Sequence, residues 1–585
     1  MNLNSNQGKQ NNTDRSFLER PVFVMGLVLG FVLFLICYGV RALNPSYEGI
    51  VMMDRDITQH YMGWLYYRNS AWHFPVGLMD GISAPYNVSI VYSDSIPLFA
   101  VFFKLISGIL PETFQYFGIY GFISFGLMGG FAANLINYFI KKPALSVSLS
   151  TFFILSPYVL HRMFIHTALA GQWVIILAML LWIKHPYREE KPVKNVIYWA
   201  ILLFITSGIH LYLVAIVYIF CFLNSLEVVI RDKKWKWPVI SLITSFVVVI
   251  FNLYILGAFY GGVSAGAGGF GEFSATLLTF FDAGNPDFAA RILPNLPEGM
   301  YQFEGYGYLG FGMIILCIFA FIIRVNMKVK FSEAATDILR FRLLVIACIV
   351  FGIWAVIPNI TIGESINEPS VRTLFSIPMP EFLVNLFSIL RCNGRFIWPV
   401  CYSIFLGNLV YINHILEGKE KSVTKKICTV GLILALLVQV FDLSSGIIDR
   451  RTNHFFGEEY TPWYIKEGEV WDKLLETRPH VVYMQTDMER GTRLGYAIAR
   501  KAIKAGGDLN TFYLARDLNA EVQVTIDEYK KELENKNARR DVIYIFPADS
   551  VVPESYGLHL YKINEVIVGI SQDEDILGME YVEEY

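Results

Sequence analysis

Charged residues are scarce in this sequence. Asp, Glu, Lys and Arg make up 17% of its 585 residues, against roughly 25% in a typical soluble protein. That shortage excludes a water-soluble globule, and the apolar content excludes a disordered chain. Cysteine is sparse too, with seven in all. Cys37, Cys221, Cys317, Cys348, Cys401 and Cys428 lie in apolar stretches, Cys392 lies beside one, and none follows position 428. This placement excludes a disulfide framework, and no cysteine pair has metal-ligand spacing. Internal repeats are lacking, which counts against an inverted-repeat transporter. The glycine-rich segment from Gly261 to Glu272 lacks the Gly-Lys-Ser/Thr ending and the preceding strand of a phosphate-cradling loop. It reads instead as an external loop that orders over bound substrate. A signal peptide is not expected either. The polar segment Met1 to Glu19 leads into an apolar run too long for a signal core and without a small-residue cleavage site.

What is present is apolar. Hydrophobic residues reach 54% and aromatics 15%, with a mean hydropathy of +0.44, as in a chain that lives partly at membrane interfaces. At about 20 residues per span, the runs 21–42, 114–139, 144–160, 167–184, 195–209, 211–226, 236–258, 306–325, 341–360, 396–415 and 427–446 are candidates. The apolar stretch Ser95 to Leu110 is short, carries Lys104 and reads as an interfacial helix. The run Val196 to Leu223 is interrupted at Ser207-Gly208-Ile209-His210 and reads as two half-length helices. Basic clusters decide the orientation. Lys9, Arg15 and Arg20, then Lys141-Lys142, the group from Lys184 to Lys194, Arg231 to Lys236, Arg324 to Arg342, and Lys419 to Lys426 all fall inside only with eleven spans and a cytoplasmic N-terminus.

The expected fold is therefore an all-α polytopic membrane bundle of about eleven helices followed by an extracytoplasmic α/β domain. Residues 1–20 form the cytoplasmic tail and 21–446 the transmembrane domain, with external loops 43–113, 259–305 and 361–395. Residues 447–585 form the external domain. In that tail, His480 to Gln485 and Thr511 to Leu514 read as strands, Thr492 to Lys504 and Glu521 to Lys536 as helices, and Val542 to Phe546 as a further strand. Two more strands are expected near Leu558 and Val566.

Polar residues gather on the external side, where irregular backbone in a membrane bundle is costly unless it lines a site. The first loop opens with Asp54-Arg55-Asp56 and continues to His60, Arg68 and the later Asp94. On a helix, Asp56 and His60 share a face at i, i+4. Two carboxylates and a histidine within a turn suit a general base or a divalent cation held by Asp54 and Asp56. The structural alternative is a solvated helix start capped by Asp54. His161, Arg162 and His166 lie at the outer mouth between the third and fourth spans, and cations there suit an anion such as a phosphate. His210 sits at the helix break on the same side, where a core histidine bonded to backbone is the alternative. Glu304, just before a span, is a further candidate carboxylate. Arg391 and Arg395 place two guanidinium forks, matched to phosphate oxygens, outside the tenth span and against the positive-inside bias.

This layout resembles the GT-C superfamily of integral membrane glycosyltransferases. The resemblance rests on the long first loop with its acidic motif after span one, the Ser95-Ile96-Pro97-Leu98 interfacial helix, the Ser156-Pro157-Tyr158 ending of span three, the half-spans five and six, and the external C-terminal domain. Asp56, His60 and Arg68 look like the first-loop pattern of oligosaccharyltransferases. More closely, Asp56-x-x-Gln59-His60-Tyr61-x-Gly63-Trp64, Ser93-Asp94-Ser95-Ile96-Pro97, Gly269-Phe270-Gly271-Glu272-Phe273 and Gly394-Arg395-Phe396-x-Trp398-Pro399 resemble an uncharacterised bacterial domain-of-unknown-function family of this architecture. The similarity covers roughly residues 20–450. The Trp-Trp-Asp acceptor motif of oligosaccharyltransferases is absent, which disfavours protein N-glycosylation.

The resemblance implies transfer of a sugar from a polyprenyl-phosphate-linked donor to an extracytoplasmic glycan, lipid or protein, usually with inversion, in a bacterial cell membrane. Asp56 would be the general base, with Asp54, Asp94, His60 or Glu304 assisting. Arg162, Arg391 and Arg395 would stabilise the leaving phosphate, with Arg68, His161, His166 and His210 also lining the substrate site. GT-C enzymes include members that need no metal, so a cation such as Mg or Mn is left open. Membrane lipids are expected partners and nucleic acid is not. A lipid or glycan transporter, and a non-catalytic sensor or assembly protein using the tail as a binding module, are the alternatives.

The topology is directly testable. With the native cysteines replaced, single cysteines at positions 141 and 234 should resist an impermeant thiol reagent on intact cells, and one at 521 should react. Labelling at 141 but not at 521 would overturn the orientation and the external site with it.

Overall fold

The computed structural model describes residues 17–585 except 54–55, 185–191, 263–268, 286–287, 335–336, 364–369, 418–421, 456–467, 487–491, 516–517, 565 and 575. The described part is a helical bundle with a small α/β domain at its C-terminus. Among the described residues, eight helices are long and apolar enough to cross a membrane: Arg20–Tyr38, Phe117–Ile140, Thr167–Lys184, Leu211–Asp232, Lys236–Ile255, Ile338–Val356, Asn393–Glu417 and Lys426–Thr452. The expected count of eleven is thus higher than the number of full-length spans. Three of the expected runs are shorter helices, Pro143–Ile154, Pro192–Ser207 and Phe311–Asn326. At 1.5 Å per residue, a 16-residue helix such as Pro192–Ser207 is only about 24 Å long, less than the roughly 30 Å hydrocarbon core.

The breaks have visible causes. Pro143 and Pro157 each open a helix, since proline suits a first turn and ends a preceding one. At Gly208 to His210 the chain leaves one helix and enters the next, and the His210 Nδ1 accepts the Tyr212 N–H as an N-cap at 3.2 Å. The helices Arg20–Tyr38 and Phe117–Ile140 lie close because Gly26 and Gly30 face Gly129 and Phe125. A Cβ at Gly26 would stand 2.4 Å from the Gly129 carbonyl oxygen.

Polar contacts mark two ends of the bundle. At one end the Asn137 amide donates to Glu19 at 2.7 Å, the Lys184 ammonium to the Phe17 carbonyl at 3.0 Å, and the Arg340 guanidinium pairs with Glu227 at 2.8 Å. The other end carries the described residues of 40–116, 157–170, 256–310 and 357–397, together with those of the C-terminal domain. The expected interfacial segment contains the helix Pro97–Leu105.

Among its described residues the C-terminal domain holds six strands: β1 (His480–Tyr483), β2 (Asp508–Leu509), β3 (Val542–Pro547), β4 (His559–Ile563), β5 (Val566–Ile570) and β6 (Val582–Glu584). Their order is β6-β4-β5-β3-β1-β2. β1 pairs in parallel with β2 and β3, and the other pairs are antiparallel. Helices Glu469–Thr477, Arg493–Lys504 and Asn519–Glu534 accompany the sheet. One expectation fails here. Residues 511–514 are not a strand, and β2 ends at Leu509. Leu509 and Ala515, on either side of that segment, meet the first loop instead. Leu509 N–H donates to Gly81 O, Ala84 N–H to Leu509 O, and Ala515 N–H to Tyr92 O, at 2.7–2.8 Å. Arg500 also pairs with Glu48 at 3.1 Å, and the Tyr66 hydroxyl donates to the Ala499 carbonyl at 3.0 Å. The domain is fastened to the first loop by backbone and side chain together.

Candidate functional site

The acidic motif of the first loop becomes the helix Asp56–Asn69, whose residues from Ile57 to Tyr67 are all buried. Its packing depends on Gly63. A Cβ there would fall 2.2 Å from the Ser93 hydroxyl, so only glycine lets the Ser93-Asp94-Ser95 turn sit against the helix. The Ser95 hydroxyl bonds to Ser93 at 2.8 Å and donates to the His60 carbonyl at 2.6 Å. Asp94 itself adopts φ 52°, a left-handed conformation that Asp tolerates better than most residues. The two sequence motifs are thereby one structural unit. It presents Asp56, His60 and Asp94 together.

Three other segments meet this unit. His166 Nδ1 lies 3.0 Å from Asp56 Oδ2, and the His60 and His166 ring centroids are 5.3 Å apart. His210 Nε2 lies 3.6 Å from Asp94 Oδ1. Arg162, Glu304 and Arg395 form the deepest element. Glu304 Oε2 accepts from Arg162 Nη2 at 2.6 Å and from Arg395 Nε at 2.9 Å, with side-chain exposures of 1%, 7% and 4% for Arg162, Glu304 and Arg395. The approach needs Gly394, where a Cβ would stand 2.6 Å from the Gly305 Cα. Two guanidinium groups on one carboxylate leave a surplus positive charge, and Arg162 Nε has no hydrogen-bond partner. Arg395 lies 4.4 Å over the Tyr212 ring, and Arg391 lies 5.0 Å over Phe273 on a less buried shelf.

Not every expected residue joins the cluster. Arg68 donates to the carbonyls of Ser107, Leu110, Pro111 and Glu112 at 2.8–3.3 Å and clamps that turn. Its donors serve the backbone, so it stands apart from the site. His161 is buried against Tyr306, with neither ring nitrogen hydrogen-bonded. Asp54 lies outside the described residues, as do residues 263–268 of the glycine-rich loop. The suggested Asp54–Asp56 cation pair therefore has one unplaced member, and Asp56 faces His166.

Sequence reasoning missed Arg450. Its guanidinium donates to the carbonyls of Leu160, His161 and Met163 at 2.6–3.0 Å, which satisfies the open end of the short helix Pro157–Arg162. A signal was present, because a basic residue follows the last apolar run, where the expected orientation puts it outside and against the inside bias. Tyr212, which accepts the Cys392 N–H at 2.8 Å, gave no such signal.

The electrostatics follow from burial and neighbours. Burial pushes the Asp56 carboxyl up, but contact with His166 and the nearby His60 outweigh it and hold Asp56 below the usual carboxylate value. Burial, then the charge of His166, push the His60 imidazole down to about 3 against the pull of Asp56, so the ring is neutral at physiological pH. Burial would raise Glu304, yet Arg162 and Arg395 hold it well below the ordinary range. The cluster thus brings an ionised carboxylate, a neutral imidazole and fixed positive charge to one end of the bundle.

A family model described as "Domain of unknown function (DUF6311)" matches residues 27–444, and one described as "DUF6311 C-terminal domain" matches residues 470–571. The chain belongs to the DUF6311 family. The two matches together divide the chain between the bundle and the α/β domain, and neither description names an activity. The comparison with curated proteins found no match.

The buried ion triad sets a stability prediction. Glu304→Gln should destabilise the detergent-purified protein by about 3–5 kcal/mol, the usual cost of leaving buried charges unpaired. Because the folded pKa of Glu304 is depressed, its contribution is present above the unfolded glutamate value of about 4.3 and fades as pH falls through the lower folded value. The gap between wild type and variant in thermal unfolding should therefore persist at pH 5–7 and narrow only well below about pH 4. Equal melting at pH 7 would remove the triad from the structure's supports.

Proposed function

We propose that this protein is a membrane glycosyltransferase with a GT-C-like arrangement, acting outside a bacterial cytoplasmic membrane on a polyprenyl-phosphate-linked sugar. In this reading all eleven apolar helices cross, the N-terminus is cytoplasmic and the C-terminal domain is extracytoplasmic. The observation that carries the proposal is the meeting of a first-loop carboxylate, Asp56, with a buried centre of surplus positive charge made by Arg162, Arg395 and Glu304.

The chemistry would run as follows. An acceptor hydroxyl attacks the anomeric carbon, the bond from that carbon to the phosphate oxygen breaks, and the leaving phosphate keeps the electron pair. Asp56 accepts the hydroxyl proton, since a neutral hydroxyl is a poor nucleophile without a base in hydrogen-bond reach. His166 orients the Asp56 carboxylate. The shelf formed by Arg391, beside the Arg162–Arg395 pair, offers the phosphate charge-assisted bonds. A transporter or an assembly protein would have less use for an oriented carboxylate and a cationic centre on one end of the bundle.

Two measurements test this reading. Asp56→Asn keeps the shape of the side chain but cannot take the proton. It should yield a folded, inserted protein whose transfer activity falls at least about a hundred-fold, the lower range for a lost general base. The readout is envelope glycan and lipid profiling of a deletion strain complemented with each variant, with protein levels checked. Full complementation by Asp56→Asn would turn the interpretation to a non-catalytic protein. Separately, Arg391→Ala should weaken binding of a polyprenyl phosphate by roughly ten- to a hundred-fold, the range for one lost charge-assisted bond. Unchanged affinity would remove Arg391 from the phosphate site.

A further inference from the structure

His60, Asp94 and His166 come from three separate places in the sequence, yet one ligating atom from each lies within 4.8 Å of the others. Among the described residues they are the group of three histidine, cysteine or carboxylate side chains close enough to share an ion. Proximity alone would not make a site. The second observation is His60, which is fully buried and has no hydrogen-bond partner on either ring nitrogen. A buried polar group without a partner costs roughly 1–3 kcal/mol, and folded proteins rarely leave one unused. Here that group is an imidazole aimed at a carboxylate and a second imidazole.

We propose that His60, Asp94 and His166 form a three-ligand binding site for a divalent transition-metal ion of the zinc class. The donor set decides the class. Two imidazoles and one carboxylate suit zinc or its first-row neighbours, whereas magnesium and calcium prefer oxygen ligands. Three protein ligands leave one position open, the pattern of catalytic rather than structural zinc sites. Ligand atoms around zinc stand about 3.3 Å apart when each bond is about 2.0–2.1 Å, so modest side-chain rotation closes the observed spacing.

The surroundings are those of a held metal. Asp56 Oδ2 stands 3.0 Å from Nδ1 of His166, where a small rotation of the ring would make the bond by which a carboxylate fixes one imidazole nitrogen so that the other can ligate. His210 Nε2 stands 3.6 Å from Asp94 Oδ1, and the Ser95 hydroxyl fixes the His60 backbone. In this assignment Asp56 moves from metal ligand, as its pairing with Asp54 suggested, to the residue that orients one. The site stands on geometry alone and does not depend on the transferase reading, because its test counts metal rather than turnover.

The test uses the full-length protein purified in detergent, stripped with chelator and reloaded with zinc alone, with metal content read by mass spectrometry and folding by thermal unfolding. Wild type should retain about one zinc per chain after desalting, and its unfolding temperature should rise with added zinc. His60→Ala and Asp94→Asn should lose the bound zinc and the shift. Asp56→Asn should weaken zinc affinity about 10–100-fold, the usual cost of removing an orienting partner. His73→Asn, in the same loop but paired with Asp80, should keep the full zinc content. If a variant fails to fold, cobalt loading of wild type still decides, since a tetrahedral absorption spectrum supports the site and an octahedral one opposes it. Folded wild type that retains no zinc, or His60→Ala that retains as much as wild type, would overturn the proposal.

Discussion

The architecture of the end of the bundle that carries the candidate site turns on one carboxylate. Glu304 is buried and receives both Arg162 and Arg395 on a single oxygen, and these three residues belong to three segments far apart in sequence. Removing a charge from water is expensive, so such a centre persists only when every member is paired or directed at a ligand. Arg162 ends a six-residue helix that begins at Pro157 and is closed by Arg450. Arg395 follows a glycine that permits contact with the Gly305 backbone. The helix ends of the bundle are therefore placed by an electrostatic need as much as by apolar packing.

A second constraint, steric rather than electrostatic, places the first loop. Gly63 lets the Ser93-Asp94-Ser95 turn lie on the helix Asp56–Asn69, and the C-terminal domain grips the same loop through Leu509, Arg500 and Ala515. The loop is thus held on both sides. Its buried helix carries Asp56 and His60 toward His166, while its outer side faces the α/β domain. This gives the C-terminal domain a role as a brace for the site, independent of any ligand of its own.

Much of this was legible in the sequence, and the failures are instructive. The membrane class, the helix break at His210 and the short helix Pro97–Leu105 before span two followed from hydropathy and from glycine and proline placement. The convergence of Asp56, Asp94, His166, His210, Glu304 and Arg395 followed from their shared position at one end of successive apolar runs. Span number was harder to read, because hydropathy does not say whether an apolar run of 12 to 17 residues continues as helix through a proline. Arg68 was misplaced because charge-based reasoning cannot see a turn whose carbonyls take four hydrogen bonds from the two terminal nitrogens of a guanidinium. Residues 511–514 read as a strand because apolar alternation does not distinguish pairing within a sheet from burial against a neighbouring loop. Pairing inside the cluster was invisible for the same reason. Spacing can bring residues to one end of a bundle, but only packing decides that Asp56 faces His166.

The central claim is that the end of the bundle built around Glu304 binds a lipid-linked phosphate, with Asp56 facing the reacting sugar. The most direct measurement is a cryo-electron microscopy structure of the full-length protein with a non-transferable polyprenyl-phosphate sugar analogue. The account predicts the phosphate within hydrogen-bond reach of Arg391 and of the Arg162–Arg395 pair, with the anomeric carbon turned toward Asp56. A phosphate found instead at the opposite end, near Glu227 and Arg340, would contradict it.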